Sequence, residues 1–137
     1  MFQILSVQSK DEQKRLAREC GALYQPRCPA YALYLEDRFC GLCQFAIGAG
    51  AGEIVTLDAV PGFAGDADGD AEQYLAALCR TALSFLEEIG IPQARYAGAE
   101  KSRRLMLLSG FSEREGVWTA DLGVLFSHCS SELWKTK

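Results

Sequence analysis

Residues 53–88 read EIVTLDAVPGFAGDADGDAEQYLAALCRTALSFLEE. A β-branched run is followed by a Pro-Gly break, an acidic glycine-containing loop and a long stretch of helical periodicity. Glu53 to Val60 is predicted as a strand ended by Pro61-Gly62. From about Ala71 to Glu88, Leu75, Leu78, Cys79, Ala82, Phe85 and Leu86 recur at helical spacing and form one apolar face. Gly90 and Pro92 end that helix, and Pro92 to Ala97 reads as a short strand. The result is a strand–helix–strand unit, which places a parallel pair of strands inside the sheet.

On the N-terminal side, Met1 to Val7 reads as a first strand. Ser9 with Glu12 makes a capping box that opens a helix. Leu16 and Cys20 lie one turn apart on it, and Gly21 is a natural stop. Gln25 to Pro29 reads as loop. Ala30 to Leu35 and Phe39 to Ile47 are aromatic and aliphatic runs separated by Glu36, Asp37 and Arg38, a hairpin signal. A glycine-rich turn, Gly48 to Gly52, joins them to the strand at Glu53. On the C-terminal side, Glu100 to Ser109 reads as a second, shorter helix stopped by Gly110. Two strands follow, near Phe111 to Arg114 and near Val117 to Phe126. The order is β-α-β-β-β-α-β-α-β-β. Two hairpins flanking the central unit imply an α/β (α+β) domain over 1–137 with a mixed, twisted sheet between helices.

A chain of 137 residues suits one domain that buries a core without disulfide staples. With 49% hydrophobic and 23% charged residues, it falls in the globular rather than the disordered class. A net charge of −4 supplies no basic footprint for nucleic acid or acidic membranes. The start MFQILSVQSKDEQ lacks the features of a signal peptide, and no apolar run is long enough to span a bilayer. The expected location is the cytoplasm. The six cysteines, at 20, 28, 40, 43, 79 and 129, are therefore expected as reduced thiols, most of them small buried hydrophobes.

Four features invite sharper readings. Cys40-Gly41-Leu42-Cys43 has the spacing of a metal or redox pair, but no second such pair completes a zinc set. On a regular strand the two thiols would face opposite sides. Asp66, Asp68, Asp70 and Glu72 alternate as in a calcium loop. The positions that an EF-hand gives to Gly and Glu hold Ala71 and Ala77, so a solvated acidic loop with helix-start charges is the expectation. No metal site is expected. His128 is the only histidine, and no spacing pairs it with a nucleophile. Trp118 and Trp134 are expected to pack.

The order of elements resembles the GNAT acyltransferase superfamily, and individual residues add to the resemblance. Ala32 to Ala46, with Gly41 after the hairpin turn, looks like its second and third strands. Glu53-Ile54-Val55 resembles the histone-acetylating branch, in which a glutamate there is the general base. Leu105-Met106-Leu107-Leu108-Ser109-Gly110-Phe111 is similar to the family's Leu-Tyr-x-x-x-Gly-Phe. The resemblance implies acetyl transfer from acetyl-CoA to a small-molecule or peptide amine, with Glu53 as base. It also implies main-chain binding of the pantetheine arm around Asp58, Ala59 and Val60. Backbone N–H groups at Gly69, Asp70 and Ala71 would hold the pyrophosphate at the helix start. It leaves the acceptor and oligomeric state open.

The chain departs from the family pattern at three points. Asp66 stands where Gln or Arg is expected, Met106 replaces a proton-donating Tyr, and Ala99 sits where an Asn is frequent. No Lys or Arg occurs from Phe39 to Cys79, where six acids lie. Each carboxylate–phosphate pair about 6 Å apart would cost roughly 0.7–3 kcal/mol. Lys101, Arg103 and Arg104 are the candidate cations to reach in from elsewhere. The alternative reading is a non-catalytic GNAT-like binding or regulatory module.

Overall fold

The computed structural model describes residues 2–126. Seven strands form one sheet. They are β1 (Phe2–Ser6), β2 (Ala30–Leu35), β3 (Arg38–Ile47), β4 (Gly52–Ala59), β7 (Gln93–Tyr96), β9 (Val117–Asp121) and β8 (Ser112–Arg114), in that spatial order. Every neighbouring pair is antiparallel except β4 with β7. The connection between those two runs through the helix α2 (Ala71–Glu88), as a parallel pair requires. A two-stranded hairpin, β5 (Gly65–Asp66) with β6 (Gly69–Asp70), occupies the acidic loop before α2.

Side-chain alternation splits the core across the sheet. Ala30, Ala32 and Leu42 pack against Leu16 and Ala17 of the helix α1 (Lys10–Glu19). Leu33, Leu35, Cys43, Phe45, Ile54 and Leu57 pack against α2 on the other face. Leu75, Leu78 and Ala82 of α2 are buried, and Phe85 is half-buried against the same cluster, as the helical spacing predicted. α2 approaches so closely that a Cβ at Gly52 would lie 2.6 Å from Leu86, inside any real van der Waals contact. The turn between β2 and β3 is Glu36-Asp37, both with positive φ (49° and 65°), matching the twist of the strands it joins.

Beneath the α1 face lies a neutral polar network. Gln13 Nε2 donates to Gln44 Oε1 (2.9 Å) and to the Cys28 carbonyl (3.1 Å). Gln44 Nε2 donates to Thr56 Oγ1 and the Leu23 carbonyl, both at 2.9 Å. Gln44 Oε1 also accepts the Gln25 N–H at 2.9 Å. The network holds the loop between α1 and β2 against the sheet. Among the described residues no buried side-chain nitrogen or oxygen lacks a partner.

Three elements differ from the sequence reading. The helix α3 (Arg103–Ser109) begins later than Glu100, because Ser102 caps it by accepting the Leu105 N–H at 3.0 Å. The last strand ends at Asp121 rather than Phe126. Its carboxylate accepts the Val124 N–H at 3.2 Å, and residues 122–126 are helical. The acidic stretch, expected as loop, contains the β5–β6 hairpin. No described helix is long and apolar enough to cross a membrane.

Candidate active site

The site is built on an opening in the sheet. β4 and β7 are in register only at Gly52–Ala94, Glu53–Arg95 and Ile54–Tyr96. One further bond, Ala97 N–H to the Ile54 carbonyl (2.8 Å), closes the paired section. At that level β4 carries a bulge: Gln44 faces Thr56 and Phe45 faces Ile54, which leaves Val55 as the extra residue. A bulge bends its strand and raises the local twist, and beyond it β4 and the chain after β7 part. The far half of β4 stays paired with β3 alone. Val60 N–H donates to the Cys40 carbonyl (2.9 Å) and Asp58 is in register with Leu42. By alternation, Leu57 and Ala59 turn their N–H and C=O groups away from β3, toward the gap.

The start of α2 adjoins this gap. Asp70 is its N-cap and, with Gln73, completes a reciprocal capping box at 2.9 Å in both directions. Asp66 Oδ1 accepts the N–H groups of Asp68 (2.9 Å) and Gly69 (3.2 Å) and the Tyr74 hydroxyl (2.6 Å). The Tyr74 hydroxyl, with the two backbone donors, holds the Asp66 carboxyl below its ordinary pKa. The same bond pushes Tyr74 up to about 12. Asp66 is thus a structural acceptor of this turn. The N–H groups of Gly69 and Asp70, two of those expected to hold a pyrophosphate, already serve side chains of the protein.

Cations reach the acids from the segment around the start of α3. Arg104 bonds Asp70 (3.0 Å) and Glu72 (2.8 Å). Ser102 Oγ donates to Glu72, and Lys101 pairs with Asp58 across the mouth of the gap. The Arg104 bond lowers the pKa of Asp70, and the Ser102 bond followed by Arg104 lowers that of Glu72. Arg103, the third candidate, turns elsewhere: its guanidinium lies 5.6 Å from the centre of the Trp118 ring and 3.7 Å from Glu113. The stretch from Phe39 to Cys79 lacks cations in sequence but not in space.

Glu53 sits where β4 is still paired, two residues before the bulge. It is half-exposed and bonds Arg95 of β7 at 3.4 Å. Met106 is fully buried in the α2-side core, so this position presents nothing to the gap. Sequence reading overlooked Tyr96. Its ring packs edge-on against Phe111 with centroids 6.1 Å apart, and its hydroxyl donates to the Ala99 carbonyl at 2.5 Å. Burial, then nearby Asp58, pushes its pKa far up, so the phenol stays protonated. A Cβ at Gly98 would lie 2.7 Å from that hydroxyl and 2.9 Å from the Val55 carbonyl, so glycine there lets the chain pass close to the bulge. A tyrosine at the end of a strand beside a glycine was the available signal.

The cysteine reading needs correction. Leu33 faces Gly41 while Tyr34 faces Phe39, so Cys40 is the extra residue of a second bulge, on β3. The bulge resets the alternation, and Cys40 and Cys43 both pack into the α2-side core instead of facing opposite sides. Burial raises the pKa of both thiols. The five described cysteines are free. Among the described residues no three His, Cys, Asp or Glu side chains converge as metal ligands. His128, Cys129 and Trp134 lie outside the described residues.

No protein-family model matches the chain, and no curated protein matches it in sequence. Solved structures do. The ribosomal-protein-S18-alanine N-acetyltransferase of Escherichia coli aligns at 14% identity with a TM-score of 0.62, over 89% of this chain and 94% of its own. A Bacillus subtilis acetyltransferase in complex with CoA aligns at 16% identity with a TM-score of 0.61, over 88% and 99%. A GNAT-family protein from Desulfovibrio desulfuricans aligns at 11% identity with a TM-score of 0.61, over 89% and 99%. Together with the mixed seven-stranded sheet and the opening between its two parallel strands, these likenesses establish that the chain has the fold of the GNAT acetyltransferase superfamily.

Proposed function

We propose that the protein transfers an acyl group from an acyl-CoA, with acetyl-CoA as the expected donor, to the amine of a small molecule or peptide. The observation that carries this reading is the opening between β4 and β7, with the unshared main-chain groups of Leu57 and Ala59 facing it. An extended amide-containing chain fits such an edge, because an unpaired strand edge offers alternating donors and acceptors. The pantetheine arm of coenzyme A has that character. Asp58 and Val60 flank Ala59, but their main-chain groups are turned to β3. The acetyltransferases among the structural neighbours support acyl transfer as the class of chemistry.

The rest of coenzyme A fits less well. At the start of α2 the Gly69 and Asp70 N–H groups are used by Asp66 and Gln73, and Asp70 and Glu72 place carboxylates where a diphosphate would come. This disagreement lowers the expected affinity. In the chain's own chemistry, Glu53 is the group suited to accept a proton from the acceptor amine, directly or through water. The Tyr96 hydroxyl is a protonated group beside the bulge, its proton donated to the Ala99 carbonyl.

The filled helix start favours a second reading, a non-catalytic GNAT-fold module that binds a partner or a different ligand. Calorimetry with acetyl-CoA at low and moderate salt separates the two. Weak but saturable binding, with a dissociation constant above about 100 μM, and slow acetylation of an amine library that is lost in Glu53→Gln, support the transferase. Absence of both binding and acetylation supports the module.

A further inference from the structure

We infer that the segment 97–104 is an ionic strap that holds the β4–β7 opening shut and has to be released before anything enters it. The inference rests on the proposed reading only in naming the opening as the site of entry. Beyond the last β4–β7 contact, the segment is tied back in four places. The Tyr96 hydroxyl pins the carbonyl of Ala99. Lys101 reaches Asp58, which is 43 residues away in sequence and stands on the opposite lip of the opening. Ser102 is held by Glu72 of α2, and Arg104 by Asp70 and Glu72. Asp58 lies beside Cys20 at the end of α1, whose sulfur is 3.5 Å from the Asp58 carbonyl. The ties therefore run to both layers of the fold, toward α1 through Lys101 and onto α2 through Ser102 and Arg104.

The strength of these ties is graded. Lys101 and Asp58 are mostly covered, with side chains 19% and 25% exposed, whereas Arg104 and Asp70 are about half exposed at 50% and 51%. Exposed pairs are weakened by salt, and covered ones much less. The Arg104 end is thus the part that yields first, with Lys101 as the firmer catch. The strap lacks the apolar anchoring of a core element: of residues 97–104 none is buried. Its closure depends on polar contacts, which suits a segment that opens without unfolding the sheet.

Amide exchange read by mass spectrometry tests this on the unmodified protein and on the Lys101→Met/Arg104→Gln double variant, each with and without about 0.5 M salt. Exchange at Ala97, Leu105 and Met106, whose N–H groups are bonded to the Ile54 carbonyl and to the Ser102 hydroxyl and carbonyl at the two ends of the segment, is expected to rise roughly tenfold in the variant, and several-fold with salt in the parent. Exchange in β3 and α2 should stay unchanged. Where the parent binds coenzyme A, the variant should bind it more tightly. Salt- and variant-independent exchange at these three amides overturns the strap, and so does weaker coenzyme A binding by the variant. Faster exchange with coenzyme A binding to neither protein supports the strap and removes the transferase reading. The salt series keeps the test decisive if the variant does not fold.

Discussion

The molecule holds two polar clusters of opposite character that meet on β4, one through Thr56 and the other through Asp58. The Gln13–Gln44–Thr56 network is neutral and sealed, with Gln44 fully buried. The network of Asp58, Asp70, Glu72, Lys101, Ser102 and Arg104 is charged, and its Arg104 end is open to water. The first fastens a loop to the sheet permanently, because each of its groups would be left unpaired in a dry interior if one were lost. The second can exchange its partners for water or for another ion at little cost. Permanence and exchangeability thus lie two residues apart on one strand, and the exchangeable cluster borders the opening.

The largest expected effect is on the sealed side. Gln44→Ala removes the partner of Gln13, of the Gln25 N–H and of the Leu23 carbonyl, and should cost about 3 kcal/mol. Urea unfolding measures it, and the loss should be the same at low and high salt. A strong salt dependence would erase the distinction between the clusters.

The next effect concerns coenzyme A. The sequence alone suggests that Asp66→Arg would improve binding by restoring the residue type the family uses. The structure reverses that expectation, since the Asp66 carboxylate holds Tyr74, Asp68 and Gly69. Asp66→Arg should disorder the turn and leave binding no better. Asp70→Asn, which keeps an acceptor for Gln73 and removes a charge, should improve affinity several-fold at low salt and less as salt rises. Calorimetry on both variants decides whether charge or turn geometry governs the site.

Acid should act on the open cluster first. Asp66, Asp70 and Glu72 have folded-state pKa values below those of the unfolded chain. Their contribution is therefore present above the unfolded values near about 4 and is lost as pH falls through the lower folded values. Relative to the intrinsic exchange rate, which itself falls with acid, amide protection at Asp68, Gly69, Asp70, Leu105 and Met106 should drop in that window, while the Gln25 amide held by the neutral Gln44 network shows no step there. The smallest effect is expected far from both clusters. Arg15→Ala removes the exposed pair with Glu19 (2.7 Å) on α1 and should change stability by less than about 0.5 kcal/mol.

Local pattern was enough to read the main elements of this chain, but not the β5–β6 hairpin or the helical turn at 122–126. The spacing of Leu75, Leu78 and Ala82 announced which face of α2 is buried, and the two strand runs around Glu36-Asp37 announced their hairpin. Those signals are carried by residues a few positions apart, where backbone geometry alone decides which side chains share a face. The bulges at Cys40 and Val55 were not legible. A bulge is a mismatch between two strands and has no signature in either one alone. Its consequences were the common face of Cys40 and Cys43 and the opening beside β4. The electrostatics of the site were legible only as candidates: Lys101 and Arg104, two of the three cations named from the sequence, do reach the acids, and Arg103 does not. Lys101 and Asp58 are 43 residues apart and Arg104 and Glu72 are 32 apart, so which cation meets which acid was decided only when the chain after β7 turned back over them. Sequence determined the order of elements and the apolar faces, because these follow from local periodicity. Tertiary structure decided which charges meet and where the sheet opens, because both depend on distances through space that the spacing of residues along the chain does not encode.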